Sequence, residues 1–316
     1  MIAVTGPHGR LGRQLVKEGC RPIYARIDDP AALSSALTEA ADQGMTCLIN
    51  CAAYTDVDGA ERDTVAAMRS NVLGVYNLAS TLPPQIKLIH LSTDFIFDGK
   101  GAPYPDALCH EQANPLGAYG LTKYLGECIL VARRPDSVIV RTTNLFGPDG
   151  GDFVSGLRQK LSQEKYIGLP CDLTGNPTYI PDLAAALVKL SFDKISMSKL
   201  ANSEYYGVIN LAGPEIMSRY EFGVRIAHSF GFDEKLIRRE TTVFLLPGQA
   251  RRPQGSGLAT ALAAELGLQF RTVDEALADL VQHDKDKGLR TNNHAQMERM
   301  ETGRPDHHQP GRLGHA

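Results

Sequence analysis

What the chain lacks narrows its possible roles first. No apolar run is long enough to span a bilayer. The N-terminus has no charged segment followed by a hydrophobic one; MIAVTG reads directly as a first strand, so nothing signals export. There is no excess of either charge: Lys and Arg number 33 against 36 Asp and Glu, a net charge of -3, so neither nucleic acid nor an anionic membrane is expected as a partner. The six cysteines (Cys20, Cys47, Cys51, Cys109, Cys128, Cys171) form no CxxC pair, and several lie in apolar runs where cysteine acts as a small buried hydrophobe. They are expected to be reduced thiols in a cytoplasmic protein. Tryptophan is absent altogether, and there is no internal repeat.

What remains is an ordinary globular composition, 43% hydrophobic and 22% charged over 316 residues, enough for one large α/β domain or two modest ones. Through the first two-thirds, short apolar runs alternate with longer amphipathic stretches, as in a parallel sheet flanked by helices. Strands are predicted near 2–5, 22–25, 46–50, 87–91 and 137–141, with helices near 11–17, 31–43, 64–80 and 119–132. After Gly147 the alternation weakens: helices are predicted near 153–163, 180–191 and 218–230, with a strand near 208–211. The expected architecture is a doubly wound α/β Rossmann domain over 1–150 and a smaller C-terminal substrate lobe over 151–282 that returns segments to the sheet. From 283 to 316 few apolar residues occur and no period is usable, so a solvated, disordered tail is predicted. His307 and His308 lie in it, and no metal is expected.

Two local patterns carry chemistry. Thr5-Gly6-Pro7-His8-Gly9-Arg10-Leu11-Gly12 stands between the first strand and the first helix. Glycines at 6, 9 and 12 permit a tight turn, close approach of backbone to a pyrophosphate, and close packing of helix on sheet; the helix N-terminus then offers N–H groups to the anion. An acidic residue for the adenosine ribose should follow about 20 residues later. That region holds Arg26, Asp28 and Asp29. Either aspartate also suits a helix cap, and Arg26 suits a 2′-phosphate or open solvent. The reading inclines to NADP(H) over NAD(H).

The second pattern is Tyr119-Gly120-Leu121-Thr122-Lys123. A spacing of four places Tyr119 and Lys123 on one helix face. A phenol near its ordinary value of about 10 is a poor proton relay at neutral pH, and a neighbouring ammonium is expected to lower it. An incidental surface pair is the ordinary explanation of a lone YxxxK. This one follows Ser92-Thr93-Asp94, where Thr93 ends the fourth strand and can hydrogen-bond the same substrate oxygen or cap a turn.

In order along the chain, TGPHGRLG, NCAAYTDVD, HLSTDFIFDG, YGLTK and RTTNLFGP resemble an extended short-chain dehydrogenase. STDFIFDG is especially similar to the dTDP-4-dehydrorhamnose reductase family, and GDFV, TGNPTYIPDLA, SRYEF and RPQGSGL continue the likeness to about residue 280. The resemblance implies NAD(P)H-dependent reduction of the 4-keto group of a deoxysugar nucleotide. It assigns catalysis to Thr93, Tyr119 and Lys123, with Asp94 the acidic neighbour of the threonine. Ala52, Ala53 and Tyr54 match the loop beside the cofactor, and Asn71 the asparagine that supports the active-site backbone and the proton relay. Asn144, Phe153 and Arg252 are placed at the sugar nucleotide, with Arg252 either at its phosphates or bracing a loop. A homodimer is the candidate assembly.

The family often carries tryptophan where this chain has Asn144, which favours some sugar nucleotide over one named substrate. The loop 101–114, with Cys109 and His110, reads as slightly extended. Two other classes stay open: a nucleotide-binding regulatory subunit resembling the methionine adenosyltransferase β subunit, and a sugar-nucleotide epimerase or dehydratase. The Thr93–Tyr119–Lys123 set favours an enzyme, since a pure binder needs no proton donor. Dehydratases carry a glutamate where Phe95 stands.

Overall fold

The structure, a computed structural model, describes residues 1–106, 112–163, 165–192, 207–242 and 249–288. Cys109, His110, His307 and His308 lie outside these residues.

The continuous apolar runs of the sequence become strands buried on both faces, as expected for a parallel sheet covered by helices. They are β1 (Ile2–Thr5), β3 (Cys47–Asn50), β4 (Lys87–Thr93) and β5 (Val138–Thr142), and a short, partly buried edge strand β2 (Arg21–Ile23) joins them. With the strand Val208–Asn210 they form a six-stranded parallel sheet in the order Val208–Asn210, β5, β4, β3, β1, β2. The order reverses between β1 and β3, and ligands of such sheets bind beyond the carboxyl ends of the strands at that point.

On one face, Leu11 and Leu15 of α1 (Arg10–Lys17) pack with Leu183, Leu187 and Leu190 of the helix Ile180–Phe192 against Val4, Ile49 and Val140. On the other, Leu33 and Leu37 of α2 (Pro30–Asp42) join Leu78 and Leu130 against Leu48 and Leu88. Full burial of each such leucine contributes about 1.5–3 kcal/mol. Asp29 caps α2 by accepting from Ala32 N–H, with Pro30 at the first helical position.

The stretch predicted as one helix over 64–80 is three pieces: a short helix Thr64–Met68, a π-helical turn Arg69–Leu73, and a helix Gly74–Thr81. The wider turn carries the buried Asn71. Turns of this kind cluster at functional sites.

A second core forms the smaller lobe. The helices Phe153–Leu161, Arg219–Phe230 and Val273–Asp286 bury Val154, Leu157, Leu161, Phe222, Ile226, Phe230, Leu277 and Leu280 together. Beside them Ile167–Pro170 pairs in parallel with Ile237–Glu240. Asp152, Ser218 and Thr272 each form a capping box with the residue three positions on. The last helix continues through His283 to Asp286, past the point where the composition suggests a tail, because Leu277 and Leu280 anchor it in the lobe.

Candidate active site

At the carboxyl ends of β1, β3, β4 and β5 lies a cavity of about 550 Å³, lined by Gly6, Gly9, Arg10, Leu11 and Gly12, by Arg26 and Asp28, by Ala52 and Ala53, and by Thr93, Asp94, Tyr119, Lys123 and Asn144. That size suits a small-molecule site. Residues spread over 139 positions of the sequence (6 to 144) thus converge on one cavity.

The glycine loop is built for close approach. Gly6 has φ +67, and a Cβ there would stand 2.7 Å from Ala52 N; a Cβ on Gly12 would stand 2.1 Å from Gly6 O. Neither position admits a side chain, so α1 packs directly on the turn. Gly9 is the N-cap of α1, no side chain caps the helix, and no acidic residue occupies its first turn. Its first N–H groups and the positive end of its dipole are left for an anion. The cradle therefore fits the pyrophosphate of a dinucleotide. Arg10 donates to Leu145 O at 3.0 Å and lies 3.5 Å from Asp152, tying the loop to the segment after β5. His8 instead turns its ring toward Tyr24, 5.5 Å away between centroids, and stands outside the cavity wall.

At the end of β2, Arg26 is exposed and holds Asp28 through two hydrogen bonds of 2.9 Å. The Arg26 contact keeps the Asp28 carboxyl below the usual carboxylate range. Both line the cavity, so the cation suited to a 2′-phosphate and the acid suited to a ribose diol stand together.

Tyr119 and Lys123 come from the first turns of α3 (Ala118–Arg133), and Thr93 from the end of β4. Thr93 Oγ1 accepts from Phe95 N–H at 3.2 Å, capping a one-turn helix Asp94–Ile96. Of the two roles weighed for Thr93, the turn cap is the one this geometry shows. Asp94 Oδ2 accepts from Thr143 Oγ1 at 2.8 Å and from Ser256 Oγ, and Oδ1 lies 3.2 Å from Thr93 Oγ1. Its carboxyl clamps the ends of β4 and β5 to the loop carrying Ser256, and burial raises its pKa.

The sequence leads one to expect a Tyr119 phenol lowered by Lys123. The structure corrects this: burial, with a smaller effect of the Asp94 charge, pushes Tyr119 up to about 12. Lys123 is the group drawn toward neutrality, down to about 8, because burial penalises its charge. Its Nζ donates to Leu91 O at 2.5 Å. A phenol raised in this way stays protonated at neutral pH, the state a proton donor needs.

Asn71 and Tyr54 stand outside the cavity wall and brace it. Asn71 Oδ1 accepts from Tyr54 N–H at 2.8 Å, while its Nδ2 donates to Tyr54 O at 3.1 Å and to Thr122 Oγ1 at 2.9 Å. The loop after β3 is thereby pinned to the helix that carries Tyr119.

On the lobe side, Asn144 has φ +48, a left-handed conformation that asparagine tolerates better than most residues. Its Oδ1 accepts from Arg219 Nη2 at 2.6 Å, and the Arg219 guanidinium sits 4.7 Å over the Phe153 ring, which stacks on Phe222. Arg219 makes no ion pair with any carboxylate among the described residues. Arg252 is different. It binds Asp58 through contacts of 2.9 and 3.0 Å and donates to Ala250 O at 3.2 Å, so it braces a loop. Of the two roles weighed for Arg252, the second is the one this geometry fills.

Sequence reasoning passed over Arg219, although SRYEF was among the matching segments; only tertiary packing reveals its partners. It also passed over Glu127, one turn beyond Lys123, which accepts from Ser92 Oγ and pairs with Arg141 Nη2 at 2.8 Å in full burial. A charged residue inside an apolar helix face was the available signal. Removing one partner of such a pair costs about 3–5 kcal/mol because the other charge is stranded.

Residues 1–285 match the family model described as the RmlD substrate binding domain. The chain belongs to the dTDP-4-dehydrorhamnose reductase family. It is 30% identical over 293 residues to the dTDP-4-dehydrorhamnose reductase of Mycolicibacterium smegmatis, covering 89% of this chain and 84% of that one. To the enzyme of the same name from Mycobacterium tuberculosis it is 32% identical over 282 residues, covering 84% and 87%. Among solved structures, the dTDP-4-dehydrorhamnose reductase from Clostridium acetobutylicum superposes with a TM-score of 0.75 at 30% identity, over 89% of this chain and 98% of that one. The Bacillus anthracis reductase in complex with NADP gives a TM-score of 0.75 at 26% identity over the same shares. The family match over residues 1–285 runs through the Rossmann half and the smaller lobe alike.

Proposed function

We propose that the protein reduces the 4-keto group of a dTDP-linked deoxysugar with a reduced nicotinamide cofactor, NADPH in preference to NADH. The observation that carries this reading is the convergence of Thr93, Tyr119 and Lys123 on one cavity behind the uncapped N-terminus of α1. The loop Gly6–Gly12 and the first turn of α1 hold the pyrophosphate, Arg26 meets the 2′-phosphate at the cavity mouth, and Lys123 holds the nicotinamide ribose. The bound cofactor supplies a hydride to the keto carbon.

The chain's own residues do the rest. Thr93 fixes the keto oxygen beside the Tyr119 hydroxyl, and Tyr119 gives that oxygen a proton as negative charge develops on it. The high pKa of the phenol keeps the proton in place until then. The Lys123 ammonium stabilises the phenolate that remains. Asp94 holds Thr93 in place; its oxygens are engaged by Thr93, Thr143 and Ser256, which leaves it unsuited to the acid role of a dehydratase. Asn144, Arg219 and Phe153 receive the nucleotide diphosphate and base from the lobe side.

The test is loss of nicotinamide absorbance with a panel of dTDP- and UDP-4-keto-6-deoxyhexoses and the corresponding free keto sugars. Turnover with nucleotide-linked sugars, and scarcely any with free ones, is expected, because the remote nucleotide supplies the binding energy that orients the carbonyl. Tight cofactor binding with no turnover across the panel refutes the reading in favour of a regulatory subunit.

A further inference from the structure

Thr5, Asn50 and His90 are neighbours in register across β1, β3 and β4, and all three are buried inside an otherwise apolar stretch of sheet. Buried polar groups are costly unless each finds a partner. Here the partners fix the proton positions. Asn50 Oδ1 accepts from Thr5 Oγ1 at 2.5 Å and from Ala52 N–H at 3.2 Å. A backbone N–H is always a donor, so the amide oxygen faces Ala52 and the amide nitrogen faces His90. Asn50 Nδ2 lies 2.8 Å from His90 Nδ1 and donates to it, so Nδ1 bears a lone pair. Burial and the neighbouring Lys123 charge keep the ring neutral. Its single proton is therefore on Nε2, which lies 3.4 Å from Lys123 Nζ.

An N–H aimed at an ammonium sets donor against donor; the same N–H aimed at an amine meets a lone pair. We propose that His90 is a positioning residue that favours the neutral amine of Lys123 and so sets the upper pH limit of turnover. The inference rests on the assignment of Lys123 to the catalytic site. Above that limit an uncharged Lys123 no longer supports the phenolate left on Tyr119. The other groups around Lys123 oppose His90 or are silent. The Leu91 carbonyl and, one turn along α3, the Glu127 carboxylate favour the ammonium. The Cys51 thiol, on the loop after β3, is pushed up by burial and stays uncharged, as does Tyr119 one turn earlier. Without the Nε2–H, the ammonium would persist to higher pH.

The experiment is the pH profile of kcat/KM for sugar-nucleotide reduction, which reports groups of the free enzyme. In His90→Gln, a side-chain carbonyl can accept from the ammonium, and the alkaline limb is expected to move up by about one pH unit, roughly a tenfold gain in relative rate on that limb. Asn50→Asp is a second, nearly isosteric route. A carboxylate facing Nδ1 draws the proton there, Nε2 becomes an acceptor for Lys123, and the limb again moves up. Folded variants that lose activity or thermal stability with the limb unmoved overturn the inference, since a purely structural role predicts that result. Lys123→Arg separates the two levels: its charge does not titrate, so the limb should vanish. A limb persisting there at its original pH overturns the Lys123 assignment itself.

Discussion

Replacing Arg219 with methionine tests the contact that the smaller lobe makes with the cavity-lining Asn144. The guanidinium packs on the Phe153 ring at 4.7 Å, where methionine can substitute, and among the described residues makes one side-chain hydrogen bond, to Asn144. It makes no ion pair with a carboxylate among the described residues, and the buried Asp94 whose charge it feels keeps its own hydrogen bonds to Thr93, Thr143 and Ser256. The loss should therefore fall on ligand binding more than on folding. A charge-assisted contact to a diphosphate contributes about 1.5–3 kcal/mol, or roughly a ten- to hundredfold rise in KM for the sugar nucleotide. The cofactor KM should stay near its original value, because Arg219 lies outside the glycine-loop wall. Initial rates with each substrate varied in turn read both numbers. Arg252→Met is the contrast: it breaks the pair with Asp58, so it should lower thermal stability before it alters KM. An unchanged sugar-nucleotide KM in Arg219→Met, or an equal rise in both KM values, would show that Arg219 does not meet the substrate.

Tyr119→Phe should retain cofactor binding by fluorescence titration while turnover falls about 10²–10⁴-fold, the usual worth of a positioned general acid; near-normal turnover removes Tyr119 from the mechanism. Arg26→Ala should weaken NADPH roughly tenfold or more and leave NADH little changed, measured as the ratio of dissociation constants; an unaltered ratio makes Arg26 a surface charge. Lys123 gives a stability test with a definite sign. Its value falls from 10.5 to about 8 on folding, so below pH 8 the lysine is charged in both states and its burial costs about 3 kcal/mol. Between pH 8 and 10.5 the unfolded chain binds the extra proton, and the cost fades as pH rises. Lys123→Met should accordingly raise the thermal midpoint at pH 7 and lose that advantage by pH 10.5; an advantage constant with pH contradicts the assignment.

The Rossmann half was legible because its code is local. Buried parallel strands show as apolar runs, and β1, β3, β4 and β5 lie within two residues of the ranges 2–5, 46–50, 87–91 and 137–141 expected from the sequence. The second strand, expected over 22–25, runs over Arg21–Ile23, one residue earlier at its start and two at its end, since an edge strand of three residues, RPI, has little apolar signal. Gly6 and Gly12 were legible because only glycine fits where α1 meets the turn. The π-helical turn at Asn71 was not, because helical periodicity does not reveal a single inserted residue. The helix Val273–Asp286 had a readable start in Thr272 and Glu275, yet the polar tail composition beyond it drew attention away. The ladder of Ile167–Pro170 with Ile237–Glu240 joins segments about seventy residues apart, and nothing local announces it. Direction of charge tuning failed for the same reason: Tyr119 and Lys123 are four residues apart in sequence, but burial, a tertiary property, decides which of them shifts and which way.

The most direct test of the central claim follows the hydride. Purified protein is incubated with NADPH deuterated at the transferable position of the nicotinamide and with a dTDP-4-keto-6-deoxyhexose, and the sugar nucleotide is recovered for mass spectrometry and NMR. One deuterium should appear at C4 of the product in the wild-type protein, with its appearance slowed by about two orders of magnitude or more in Tyr119→Phe. An unlabelled sugar recovered from protein that binds the cofactor tightly would contradict the account.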